Sequence, residues 1–161
     1  MTRAQFKELF DNHFDSVRNY IYYRSGDAEM ATDIAQETFL KIWEKQVEPD
    51  QNNITGLLFK IARDQFISQY RKQKVISKFR LNTRPDFIGR SPEEQLIFEE
   101  LRSRYEIALA KLPEKQRTVF LMSRMEQLKN NEIAERLGQG LKAIEKRMTL
   151  ALAFLKQALE Q

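Results

Sequence analysis

The 161-residue chain contains no cysteine, which excludes disulfides and thiolate metal sites and makes a reducing cytoplasm the natural compartment. Its one histidine, His13, sits between Phe10 and Phe14 in an amphipathic stretch, where it reads as a structural side chain and not a catalytic one. Glycine and proline are scarce, at five and four residues. They form no phosphate-cradling loop, and no repeat or low-complexity tract is visible. No histidine–carboxylate metal motif occurs, and no serine nucleophile has a base beside it. An enzyme site, a cofactor and a small-molecule substrate are therefore not expected. No apolar run approaches the ~20 residues of a membrane span, and residues 1–8 lack the apolar core of a signal peptide, so no membrane insertion is expected.

Charge is present in quantity, and it is unevenly placed. Residues 1–50 carry 6 Lys and Arg against 10 Asp and Glu, residues 51–90 carry 9 against 2, and residues 91–161 carry 12 against 11. The net charges are −4, +7 and +1, so the middle of the chain is a basic patch. Clustered positive charge releases counterions on meeting phosphates, which points to nucleic acid, although a charge run alone can be a solvated helix face. Asp33 and Glu37 lie one helical turn apart, but two carboxylates make an acidic face more readily than a cation site.

Apolar periodicity predicts an all-α chain. Phe6, Leu9, Phe10, Phe14, Val17 and Ile21 mark a helix over about 2–24, with Gly26 ending it and Asp27 capping the next. A second helix to about residue 45 buries Ala31, Ile34, Ala35, Thr38, Phe39, Ile42 and Trp43, and a third, about 54–77, buries Leu57, Leu58, Ile61, Ala62 and Phe66 while carrying most of the basic patch. Periodicity fails between Phe79 and Arg90, where Pro85, Gly89 and Pro92 stand. Helix restarts at Ser91-Pro92-Glu93-Glu94, a serine cap followed by proline at the first helical position. The expected architecture is two small helical domains, residues 1–78 and 93–161, joined by a flexible linker at 79–92.

Near the end, Ile133, Ala134 and Leu137 stack on one face of a short helix, Gly138 can take the left-handed conformation that stops it, and Ile144 and Met148 restart the stripe. This is a helix-turn-helix, with a plain core hairpin as the alternative. Lys142, Lys146 and Arg147 give its second helix the charge to enter a major groove.

The stretch Asp33-Ile34-Ala35-Gln36-Glu37-Thr38-Phe39-Leu40-Lys41-Ile42-Trp43 resembles the core-polymerase-binding helix of extracytoplasmic-function sigma factors, the smallest members of the sigma-70 class. The family pattern of an Asp, a Gln-Glu pair, Phe-Leu and a closing Trp is present in full. Leu58-Phe59-Lys60-Ile61-Ala62-Arg63 with Arg71-Lys72 is similar to the family's promoter-melting helix, and residues 108–120 are similar to the start of its fourth conserved region.

The resemblance implies a chain that directs core RNA polymerase to promoters, binding its clamp and flap. Asp33, Gln36 and Glu37 would make polar contacts, with Phe39, Leu40 and Trp43 as apolar anchors or core. The N-terminal lobe would read the -10 element: residues 50–53, notably Asn52 and Asn53, with Thr55 would hold a flipped base, and Lys60, Arg63, Arg71, Lys72 and Lys74 would follow the backbone. Arg136, Lys142, Ala143, Glu145, Lys146 and Arg147 are the -35 candidates. Arg and Lys suit guanine or phosphate, Glu can accept from cytosine, and Ala143 can touch only a thymine methyl. The resemblance also leaves room for an anti-sigma factor.

Several positions depart from the family pattern. Asp64 and Ser68 stand where Asn and Asp are usual, altering the melting helix. The usual Ser-x-x-Thr-Val opening of the recognition helix is Gly140-Leu141-Lys142-Ala143-Ile144, which weakens the helix start by ~1 kcal/mol at most. Leu150 and Ala153 replace basic residues, so a weaker phosphate grip is expected. Two rival readings are a stand-alone helix-turn-helix regulator binding operator DNA as a dimer, and a helical protein-interaction module with no DNA role.

Overall fold

A computed structural model of the chain describes residues 1–48, 53–70, 79–81 and 89–160, and all regular structure among them is helical. The helices are α1 (Arg3–Ser25), α2 (Ala28–Lys45), α3 (Ile54–Tyr70), α4 (Pro92–Lys111), α5 (Glu114–Glu126), α6 (Asn130–Leu137) and α7 (Leu141–Glu160).

Local chemistry sets most of their ends. Thr2 accepts the Gln5 amide and Gln5 reaches back to the Thr2 amide, a reciprocal cap at the start of α1. Gly26 closes α1 at φ 67° with its N–H on the Tyr22 carbonyl. Asp27 accepts the Met30 amide at 3.0 Å and Ser91 accepts the Glu94 amide at 3.2 Å, starting α2 and α4. At the head of α3, Asn53 holds φ 74° while its Oδ1 accepts the Gly56 amide. The expected third helix is observed as far as Tyr70. The positions from 71 to 77 fall outside the described residues.

Helices α1–α3 form one lobe around Val17, Ile21, Ile34, Phe39, Leu58 and Phe66, all essentially without solvent exposure. Phe6, Phe10 and Phe14, spaced one turn apart on α1, lie against the Phe39 ring of α2, and Phe6 meets Trp43 at 5.1 Å. Helices α4–α7 form the second lobe around Leu109, Val119, Met122, Ile133, Ile144 and Ala151. The two lobes pack together, α1 on α5 and α3 on α6, so the buried set runs without a break from one to the other.

The segment expected as a free linker is partly docked. Phe79 is buried, tilted on the Tyr22 ring at 5.2 Å with the Arg117 guanidinium 5.4 Å from its own ring. Tyr22 donates to the Arg80 carbonyl, and Glu106 and Arg102 hold the Leu81 amide and carbonyl at 3.0 and 2.8 Å. An apolar ring and a satisfied backbone fix these three residues. Helix restarts at Pro92 behind the Ser91 cap, as expected from the sequence.

Candidate nucleic-acid interface

The 3.6-residue period divides α2 cleanly. Ile34, Ala35, Thr38, Phe39 and Ile42 face inward, and the buried Thr38 hydroxyl donates to the Ile34 carbonyl at 2.8 Å. Asp33, Gln36, Glu37 and Leu40 face solvent, Leu40 at 48 % exposure. Phe39, grouped with the expected polymerase contacts, is 1 % exposed and locked among α1 phenylalanines. It shapes that surface only by holding the helix. Trp43 is half-buried against Phe6. Among the described residues no group of three metal-ligating side chains accompanies Asp33 and Glu37.

Of the residues expected at the -10 element, Asn52, Arg71, Lys72 and Lys74 lie outside the described residues. Asn53 and Lys60 are exposed, as is Asp64, and Thr55 and Arg63 are half-buried. Asn53 uses Oδ1 to cap α3. Arg63 turns toward the second lobe and donates to the Leu137 carbonyl at 2.7 Å, at the C-terminal end of α6 where the helix dipole favours a cation.

In the helix-turn-helix, Gly138 takes φ 63° and Gln139 donates to the Ala134 carbonyl, so the chain reverses over three residues. The Gly140 carbonyl accepts the Ala143 and Ile144 amides at the start of α7. Lys142, Glu145 and Lys146 are exposed on its first two turns, while Ala143 and Arg147 are half-buried. Arg136, on α6, lies 5.6 Å from the Phe59 ring of the other lobe.

The structure thus places Asn53, Lys60 and Arg63 opposite Arg136, Leu137 and Gly138 around one cleft of about 340 Å³. Residues expected to read different parts of a promoter face each other.

The strongest polar contacts across the seam went unforeseen in the sequence. Arg117, 1 % exposed, donates through Nε to the Tyr23 carbonyl and through Nη2 to the Arg24 carbonyl, both at 2.6 Å. Its Nη1 meets the Leu109 and Leu112 carbonyls at 3.3 and 3.0 Å. One guanidinium therefore sits at the negative C-terminal ends of α1 and α4 together. Beside it, Arg24 bonds both carboxylate oxygens of Glu114 at 3.2 and 2.8 Å and the Tyr20 hydroxyl at 3.0 Å. A second polar group lies further along. Glu126 stands 3.8 Å from Arg136 and near Tyr23 and Ser16, and burial raises its pKa against the pull of Arg136. Burial and the Arg136 charge lower that of His13.

Comparison with known proteins accounts for this order of parts. Sigma-70 region 2 matches residues 9–75 and Sigma-70 region 4 matches residues 103–155. The chain is 28% identical over 158 residues to the ECF RNA polymerase sigma factor RpoE of Cereibacter sphaeroides, covering 96% of this chain and 86% of that protein. It is 27% identical over 160 residues to RNA polymerase sigma factor SigZ of Bacillus subtilis, with the same coverage of 96% and 86%. The fold is similar to that of the sigma factor RpoE solved in complex with the anti-sigma factor NepR from Bartonella quintana, with a TM-score of 0.67, 23% identity and 96% of each chain covered. With two sigma-70 regions in succession, the second enclosing the helix-turn-helix, the chain belongs to the sigma-70 family, as an RNA polymerase sigma factor of the extracytoplasmic-function type.

Proposed function

We propose that α2 is the surface by which this sigma factor docks on core polymerase, and that its two lobes read the -10 and -35 elements only after they separate. The observation that carries the docking assignment is the exposed row of Asp33, Gln36, Glu37 and Leu40 on a helix whose opposite face is fully packed. None of its carboxylates has an ion-pair partner among the described residues. The row is polar at its centre with one aliphatic side chain, suited to a basic partner surface.

Separation follows from dimensions. The two promoter elements lie some twenty-five positions apart, about 85 Å along B-DNA at 3.4 Å per base pair, whereas Arg63 and Leu137 are in hydrogen-bond contact. The functional halves are residues 1–78 and 93–161. In the first, Asn52, Asn53 and Thr55 take a flipped base while Lys60, Arg63, Arg71, Lys72 and Lys74 track the single strand beside Asp64. In the second, Lys142, Glu145, Lys146 and Arg147 meet the major groove, with Ala143 against a thymine methyl and Arg136 on phosphate. The chain acts by binding and not by catalysis, in the cytoplasm. The solved neighbour captured with an anti-sigma factor supports a similar protein partner for this chain.

The test is transcription by core polymerase plus this protein from a random promoter library. Promoter-specific starts and a stable complex with core are expected. In the double variant Asp33→Ala, Gln36→Ala, affinity for core falls about tenfold or more while stability shifts by no more than ~0.5 kcal/mol, as for exposed positions generally. Unchanged core affinity overturns the α2 assignment. Tight duplex binding by a homodimer without polymerase would favour the stand-alone regulator.

A further inference from the structure

Between the lobes lies a second cavity, of about 240 Å³, lined by cationic residues from both sides: Arg24 and Arg63 from the first lobe, Lys115 and Arg147 from the second. No carboxylate lines it among the described residues. Arg24 is neutralised by Glu114, but among the described residues Arg63 is bonded only to a neutral carbonyl and neither Lys115 nor Arg147 has an ion-pair partner. Thr118 and Gln139 add neutral polar groups to the wall. Three cations without a carboxylate partner among the described residues line one concave wall, which concentrates their positive field. An anion placed there neutralises that field and gains charge-assisted hydrogen bonds.

We propose that this cavity binds a compact phosphate anion of the di- or triphosphate class, taken from solution and held only when the lobes are closed. Its volume admits a short phosphate chain. Because the walls come from both lobes, an occupant stabilises the closed form by mass action and opposes any process that parts them. Occupancy also withdraws Arg63 and Arg147 from DNA. That antagonism rests on the promoter-reading assignment, but the binding itself does not.

The test uses the full chain alone, with inorganic pyrophosphate and tripolyphosphate as probes at constant ionic strength, read by calorimetry and by thermal unfolding. Saturable one-site binding and a rise in Tm of several degrees are expected. Lys115→Ala and Arg147→Ala should each weaken binding about tenfold, while Lys41→Ala, on α2 and not in the cavity wall, leaves it unchanged. A Tm rise no larger than sodium chloride gives at equal ionic strength overturns the proposal, as does equal weakening in Lys41→Ala. A short oligothymidylate distinguishes a backbone phosphate from a free one. Its binding should not depend on Lys115, and one-for-one displacement of pyrophosphate with the same Lys115 dependence would assign the cavity to nucleic acid instead. Since neither polymerase nor promoter is present, failure here leaves the promoter-reading assignment standing.

Discussion

Arg117 satisfies four main-chain carbonyls with one buried guanidinium, two of them from the opposite lobe. Replacing it with Met keeps much of the apolar stem but takes this donor from the Tyr23, Arg24 and Leu112 carbonyls, the Leu109 carbonyl keeping the Leu112 amide, and removes the charge from two helix ends. A loss of about 3 kcal/mol or more is expected, measured as a lower urea midpoint, because removing one partner of a buried charged network costs far more than an exposed pair. The Lys7–Asp11 pair on the surface of α1, by contrast, should be removable with little effect. His13 sets the acid sensitivity of the seam. Its pKa is lowered by burial and by Arg136, so the unfolded chain binds more protons below the usual 6.5 and stability falls as pH drops through that region. Glu126 works in the opposite direction, since its raised pKa favours the protonated carboxyl in the fold. The His13→Gln variant should therefore lose the decline in Tm between pH 7 and pH 5.5, and the residual slope, from Glu126, should be toward greater stability in acid.

Helix starts and stops were legible in the sequence because their causes are local. Thr2, Asp27 and Ser91 cap within three residues of themselves, and Gly26 and Gly138 supply left-handed conformations where the stripes end. The face of α2 was legible for the same reason, since its period separates Asp33, Gln36 and Glu37 from Ile34 and Ile42. What period could not decide was whether Phe39 and Trp43 anchor a partner or fill a core, because that depends on which rings α1 brings against them. The head of α3 joins two local demands. A Cβ on Gly56 would lie 2.4 Å from the Asn53 amide atoms, so Gly56→Ala displaces the cap. Gly→Ala inside a helix normally adds stability of up to about 1 kcal/mol. In the native background that gain should be cancelled by loss of the cap, whereas in Asn53→Gly, which retains the positive φ, it should appear in full. A double-mutant cycle by chemical denaturation measures the difference.

The lobe seam was the part the sequence hid. The acceptors of Arg117 are main-chain carbonyls up to 94 residues away, and every residue type offers such a group, so no side-chain pattern marks them. Phe79 was likewise read as linker because an isolated aromatic after a basic run has no period to betray it. If promoter reading requires the lobes to part, a chain fastened shut cannot start transcription. Asn19 of α1 and Met125 of α5 border one cavity across the seam, and with no native cysteine the pair Asn19→Cys, Met125→Cys presents the only thiols. Joined by a short reducible cross-linker, this variant should give no promoter-directed starts, and reductant should restore them; full activity of the joined chain would show that the packed form is itself competent. Trp43 offers a view of the proposed docking. As the chain's one indole, half-buried beside Phe6 at the end of the exposed α2 row, it is a built-in optical probe: its emission reports the polarity at the edge of the helix proposed to dock on polymerase, without any label.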